Sequence, residues 1–321
     1  MQKAGTAKIV PADAAGIASA AQALRCGGLV AFPTETVYGL GADATSDAAV
    51  AAIFAAKERP RFNPLIIHLP DLERAEILVE FNADAHALAH AFWPGGLTLV
   101  LPRQKNVRIS LLATAGLDTV AVRVPSHPVA QALLHACGLP VAAPSANPSG
   151  RVSPTNAIHV ATDLGEKVDL ILDGGTVDIG IESTVVGFER GRPVLLRAGA
   201  VPRTRIEAVV GPLSPPSAGS IRAPGQLKRH YAPKTPIRLE ARDVAPEEAL
   251  LAFGAPELRG ARVVRNLSIH GNLAEAAAHF FATLRELDAM GASAIAVMPI
   301  PDEGLGEAIN DRLRRAAAHD D

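Results

Sequence analysis

At 321 residues, with 48% hydrophobic and 20% charged side chains, the chain is long enough for two packed units and too apolar to be disordered. A formal charge of −2 and only 4% aromatic residues supply neither the basic field nor the stacking surface on which nucleic-acid binders depend. No run of 18 apolar residues is present to span a membrane and no secretory leader is visible, so a cytoplasmic protein is expected.

A first helix is expected where Ala14, Ile17, Ala21 and Leu24 share a face after a cap at Asp13, and Gly27-Gly28 stops it. A buried strand over 29–32 then runs into Pro33-Thr34-Glu35-Thr36-Val37-Tyr38-Gly39-Leu40-Gly41, where hydroxyls and a carboxylate replace core residues. Packing alone seldom needs such a crowd, and the glycines suit a tight loop or a close ligand. Ser46 can cap the next helix, whose apolar face is Val50, Ile53 and Phe54. Lys57 closes that face, with Glu58, Arg59, Pro60, Arg61 and the Asn63-Pro64 turn after it. The three cations form either a pocket for phosphates or carboxylates, or a solvated helix end favoured by the dipole.

Strands are expected at 65–69, 97–101, 120–124, 141–143, 170–172, 184–188 and 194–196, with helices centred near residues 88, 131, 158 and 206. Strand alternation sets His68 opposite Ile67 and Arg123 opposite its valine neighbours. Each has an ordinary reading, a satisfied core histidine or a solvent-facing arginine, and Arg197 shares that ambiguity. Ser145 and Asn147, between two prolines, suit an anion-binding turn or plain turn chemistry. Glu182-Ser183-Thr184 reads equally as a simple strand start. Cys26 and Cys137 lack framework spacing and read as reduced core thiols. His86 and His90 have metal-like spacing without a third ligand, and read as helix surface.

From 211 to 236 prolines and glycines break any regular element, marking a linker. Beyond it the expected order is strand 237–239, helix 247–253, strand 262–264, helix 272–290, strand 294–298 and helix 307–318. Asn272 and Glu275 have capping-box spacing, Leu273, Ala277, Phe280, Leu284 and Leu287 form a stripe, and Gly291 follows. The expected fold is therefore α/β: a twisted mixed-sheet domain over 1–211, a linker or lid over 212–235, and a small Rossmann-like parallel domain over 236–321. The last carries no G-x-G-x-x-G, so no nucleotide site is expected there.

Five segments in register carry a resemblance: the stretch beginning Phe32-Pro33-Thr34; Lys57-Glu58-Arg59-Pro60-Arg61-Phe62-Asn63-Pro64-Leu65; Pro144-Ser145-Ala146-Asn147-Pro148-Ser149-Gly150; Gly180-Ile181-Glu182-Ser183-Thr184-Val185-Val186; and Leu196-Arg197-Ala198-Gly199. Together they resemble the YrdC-type threonylcarbamoyl-AMP synthases, and His230-Tyr231-Ala232-Pro233 with the final domain resembles the long form of that family. The resemblance implies synthesis of threonylcarbamoyl-AMP from L-threonine, bicarbonate and ATP, with pyrophosphate released and the product used to modify an adenosine of tRNA. It implies a threonine and bicarbonate site of Thr36, His68, Arg123 and Ser183. It implies an ATP site of Lys57, Arg59, Asn63, Thr119, Ser145, Asn147, Ser153 and Arg197, with Tyr231 folding over it. Lys57 and Arg59 are the expected catalytic cations. Mg²⁺ would arrive with ATP rather than in a protein metal site, and tRNA or tRNA-modifying transferases are further expected partners.

Two departures stand out. Glu58 replaces the family's usual glycine and is expected to point away from the phosphates. The linker reads Arg222-Ala223-Pro224-Gly225-Gln226-Leu227-Lys228-Arg229, where Ser-Pro-Gly-Met is commoner. Two other readings use the same residues: an RNA-binding module without catalysis, and a carbamoyl-adenylate domain serving another acceptor. The near-neutral charge weighs against the first.

Overall fold

Short apolar runs, too brief for stable helices, pair edge to edge into a sheet. A computed structural model describes residues 8–217, 230–255 and 258–318. Its first strands are β1 (Lys8–Pro11), β2 (Val30–Pro33), β3 (Tyr38–Asp43), β4 (Ile66–His68), β5 (Leu97–Pro102), β6 (Thr119–Arg123), β7 (Val141–Ala142), β8 (Leu170–Asp173), β9 (Thr184–Glu189) and β10 (Arg192–Arg197). They form one mixed ten-stranded sheet in the order β1-β8-β2-β3-β7-β4-β6-β5-β9-β10. The helices are α1 (Ala14–Arg25), α2 (Asp47–Lys57), α3 (Leu72–Leu78), α4 (Ala83–Phe92), α5 (Pro128–Cys137), α6 (Ala157–Leu164) and α7 (Arg203–Val210). Helices α1 and α5 cover one face over Phe32, Leu133 and Leu172, and α2 and α4 pack over the main core of Leu40, Ile53, Leu88 and Leu99. A small patch of Ile66, Val100, Ala121, Val185, Val194 and Leu196 forms its own apolar cluster, and Ile66 also lines the cleft described below.

Strand β3 falls where the sequence suggests a loop. Its glycines are demanded by closeness: a Cβ on Gly41 would sit 2.8 Å from the Phe32 ring and 2.9 Å from Val141. The strand is sandwiched between β2 and β7, so the backbone ladder outweighs weak strand propensity. Of the cysteines, Cys137 is buried, but Cys26 lies exposed at the end of α1 rather than in the core.

The second sheet comprises β11 (Ile237–Arg238), β12 (Ala249–Ala252), β13 (Val263–Asn266) and β14 (Ile295–Val297), all parallel in the order β11-β14-β12-β13. Helices α8 (Leu273–Ala289) and α9 (Leu305–Ala317) complete it. The helix expected over 247–253 is instead strand β12. Ala249-Leu250-Leu251-Ala252 favours a helix by propensity, yet it is buried throughout between two parallel neighbours, and tertiary context wins. The Asn272 side chain caps α8 as expected, accepting from the amides of Ala274 and Glu275.

The two units dock closely. Val37, Val152 and Ile181 of the first belong to the same apolar cluster as Phe280, Phe281 and Leu251 of the second. Arg203 donates to Glu307 at 2.5 Å, and Arg285 of α8 pairs with Asp163 of α6. Gly180, at φ +77°, brings the chain so close to α8 that a Cβ would lie 2.3 Å from the Ala277 carbonyl oxygen. Gly180→Ala should therefore push α8 away and cost roughly 1–3 kcal/mol. Chemical denaturation would measure it; a variant as stable as the parent would show that the contact is slack.

Candidate active site

The turn between β2 and β3 is held by its own hydroxyl. Thr34 Oγ1 donates to the Val37 carbonyl at 2.7 Å, accepts from the Val37 amide, and lies 2.8 Å from Thr36 Oγ1. That closure sends Glu35 toward β6, where its carboxylate accepts from Arg123 Nη2 at 2.6 Å and from the Ser126 amide at 3.1 Å. Burial would push the Glu35 carboxyl up, but the Arg123 charge and these hydrogen bonds outweigh it and hold the group below the ordinary range. Arg123 Nε also donates to the Gly95 carbonyl, so its guanidinium is fixed from two sides. His68 stands beside it; burial, then the Arg123 charge, pulls the imidazole down to about 3, so it is neutral at physiological pH.

Across the cleft lie the other cations. Lys57, fully buried at the end of α2, donates through Nζ to the carbonyls of Ser145 and Asn147. Burial, and then nearby Arg59, pull its ammonium well below the ordinary lysine value. Arg59 donates to the carbonyls of Asn63 and Pro64, and burial lowers it to about 10. Arg197, at the end of β10, grips Ser183 by its carbonyl at 2.8 Å and its hydroxyl at 3.1 Å. Ser183 Oγ also lies 2.8 Å from Thr98 Oγ1.

A left-handed residue at Glu58 (φ +53°) turns the chain sharply between Lys57 and Arg59. Both flanking cations face inward, while Glu58 faces solvent and pairs with Lys167 at 2.9 Å. Arg61, grouped with them on sequence grounds, is exposed and lies outside the cluster. The linker supplies the roof: His230 and Tyr231 are buried over the cavity, and the Ala232 amide donates to the Gly150 carbonyl at 2.8 Å. The unusual linker segment 222–229 lies outside the described residues.

A cavity of ≈ 50 Å³ remains, lined by Thr36, Arg59, His68, Arg123, Ser145, Ser183, Arg197 and Tyr231. Lys57, Asn63, Asn147 and Ser153 stand just behind that lining, all buried. Among the described residues, Asn63 has no hydrogen-bond partner for either side-chain polar atom, and Asn147 none for Oδ1. Such orphaned groups are expensive in a packed interior and mark where water or a ligand belongs. Thr119 is not brought into the cavity. It shares the Arg123 face of β6 but lines a neighbouring hollow of ≈ 200 Å³ with Val100 and Leu196. Among the described residues no group of three or more His, Cys, Asp or Glu is placed to hold a metal ion.

Residues 201–318 match the family model for the C-terminal domain of threonylcarbamoyl-AMP synthase, and residues 22–199 match one described as telomere recombination. Threonylcarbamoyl-AMP synthase of Pyrococcus abyssi is 43% identical over 94% of this chain and 93% of its own length. That of Bacillus subtilis is 42% identical, over 94% and 92% respectively. The chain belongs to the YrdC-type threonylcarbamoyl-AMP synthase family, in its long form. The crystal structure of P. abyssi Sua5 complexed with L-threonine matches at a TM-score of 0.87 and 40% identity, covering 97% of this chain and 96% of that one. No helix among the described residues is long and apolar enough to cross a membrane.

Four residues that line or buttress this cleft carry no site role in the sequence: Glu35 stands in the first motif without one, Glu182 reads as part of a strand start, His230 as part of the linker, and Arg312 of α9 belongs to no motif. The signal for Arg312 was its place beside Ile309, Leu313 and Ala316 on the buried side of that helix, where a charge is out of keeping.

Glu35→Gln leaves the Arg123 guanidinium buried without its counter-charge, at a cost of about 3–5 kcal/mol near neutrality. The folded carboxyl titrates below its ordinary 4.5, so the pair stabilises fully above pH 4.5 and the contribution is lost as pH falls through the lowered value. Denaturant titrations of the two proteins should converge in acid; curves separated equally at every pH would contradict this account.

Proposed function

We propose that the chain condenses L-threonine, bicarbonate and ATP into threonylcarbamoyl-AMP, releasing pyrophosphate, in the cytoplasm and in the service of threonylcarbamoyladenosine formation in tRNA. The observation that carries this reading is the convergence of Lys57 and Arg59, Arg123, and Arg197, from three separate segments, on one cleft beside Thr36, His68 and Ser183, with Lys57 reaching it through the Ser145 carbonyl.

Bicarbonate and the threonine amine give a carbamate as the C–OH bond of bicarbonate breaks and water leaves, and the carbamate oxygen is already anionic. No side chain therefore has to serve as nucleophile. That oxygen attacks the α-phosphorus as the bond to pyrophosphate breaks, and what the step requires is in-line placement and positive charge near the departing oxygens. On the Glu35 side, Arg123, fixed by its carboxylate, would hold the threonine carboxylate or the carbamate, with Thr36, neutral His68 and Ser183 around them. On the other side Lys57, Arg59 and Arg197 would hold the phosphates. A triphosphate would compete with the Ser145 and Asn147 carbonyls for Lys57 and would reverse the drop in its proton affinity. Among the described residues Asn63 has both amide atoms without partners and Asn147 has its Oδ1, so these are offered to the ligand, and Ser145 and Ser153 add hydroxyls. The nucleoside would extend toward the neighbouring hollow lined by Thr119, Val100 and Leu196.

Mg²⁺ would ride on the phosphate oxygens, because the nearest carboxylates, Glu35 and Glu182, are already tied to Arg123 and Arg312. The cavity of ≈ 50 Å³ is smaller than ATP, so His230 and Tyr231 would move aside to let it enter and then close back over it. Partnership with tRNA or tRNA-modifying transferases would follow from the fate of the product.

Incubating the pure protein with ATP, bicarbonate and each amino acid in turn should yield one adenylate by mass, with threonine. An adenylate formed equally well from other amino acids would point to another acceptor, and none at all would end the reading. Arg59→Ala should lower ATP turnover about 10- to 100-fold with the fold intact, since it removes a charge-assisted contact to phosphate. Parent-like turnover would remove Arg59 from the phosphate site.

A further inference from the structure

Arg203, Arg285 and Arg312 each tie the second domain to the first, and they differ in kind. Arg203 with Glu307 and Arg285 with Asp163 are partly solvated pairs, as expected of docking contacts. Arg312 is 0% exposed and reaches the wall of the cavity itself. Its Nε donates to Glu182 Oε2 at 3.1 Å, its Nη1 donates to the Ala198 carbonyl at 2.5 Å, and its Cζ sits 5.3 Å from the centre of the Tyr231 ring. The other Glu182 oxygen accepts from Ser153 Oγ at 2.5 Å. Nη2 has no hydrogen-bond partner among the described residues.

Burying an ion pair this deeply is a poor way to glue two domains, because desolvation cancels most of the attraction and apolar residues would do as well. The pair does, however, solve a local problem. Glu182 lines the cavity with Arg59 and Arg197, where a triphosphate would come to lie, and a bare carboxylate there would repel it.

We propose that Arg312 is a positioning residue of the nucleotide site, cancelling the Glu182 charge, fixing Ser153 through it, and carrying the Tyr231 ring against the cavity. The proposal rests on the reading of this cleft as an ATP site. It gives the second domain a direct part in nucleotide affinity, beyond supporting the linker. The threonine wall, fixed by Glu35 and Arg123, does not depend on Arg312.

Calorimetric titration of the full-length chain with ATP, and separately with L-threonine, tests it. Arg312→Met should weaken ATP binding by about tenfold or more while threonine binding changes less than about twofold, since an unmasked carboxylate acts on phosphate charge. Adding Glu182→Gln to Arg312→Met removes that carboxylate and should restore ATP affinity to within about threefold of the parent. The double variant buries no lone charge, so it remains informative if Arg312→Met fails to fold. Arg312→Lys should stay near the parent, because the positive charge is kept. Arg203→Met, which breaks only a docking pair, should leave ATP affinity unchanged. ATP and threonine binding falling in parallel, or a double variant as weak as Arg312→Met, would overturn the assignment while parent ATP binding stands. A parent chain that binds no ATP would overturn the reading of the site and this inference with it.

Discussion

Like charges packed together out of water repel strongly, and much of this structure is arranged to keep several of them in one cleft. Lys57, Arg59, Arg123 and Arg197 are each less than a tenth exposed. In so poor a solvent their mutual repulsion is far larger than at a surface. The chain offsets it with carbonyl oxygens aimed inward from tight turns: Ser145 and Asn147 for Lys57, Asn63 and Pro64 for Arg59, Gly95 for Arg123, Ser183 for Arg197. Three of those turns carry proline (Pro144 and Pro148, Pro60 and Pro64, Pro94), whose fixed φ and missing donor leave carbonyls free to face the cations. Carboxylates are used sparingly, Glu35 for Arg123, and Glu182 with Asp311 for Arg312. A site neutralised mainly by dipoles keeps net positive charge in reserve for an anion.

Much of the fold was legible because its elements announce themselves. Strands β5, β6 and β9 are apolar runs bounded by turn residues, and α8 carries its cap and stripe openly. What was hidden depended on neighbours. Strand β3 reads as a loop until Phe32 and Val141 are seen crossing Gly41, and β12 reads as a helix until its burial between two strands is known. Strand β1 and helix α3 were too short to give a period.

The candidate site divides the same way. Its residue types could be named from the motifs, but their directions could not. Lys57, Arg59 and Arg61 look equivalent in sequence, and only the left-handed turn at Glu58 turns Arg59 inward while Arg61 stays in solvent. Thr119 was named with the rest, yet its distance along β6 places it in an adjoining hollow. Nothing local could reveal that Tyr231 would be sealed in with 1% of its surface exposed, because that depends on Phe281 and Arg312 from the second unit.

The shared apolar cluster bears on how the whole chain comes apart. Val37 and Ile181 belong to the first unit, yet the residues covering them are Phe280, Phe281 and their neighbours on α8. Detaching the second unit would thus wet both halves at once, leaving neither with a finished interior. Heating should therefore melt the two as a single cooperative block, and a calorimetric trace with one peak rather than two is the thermodynamic signature of that interdependence.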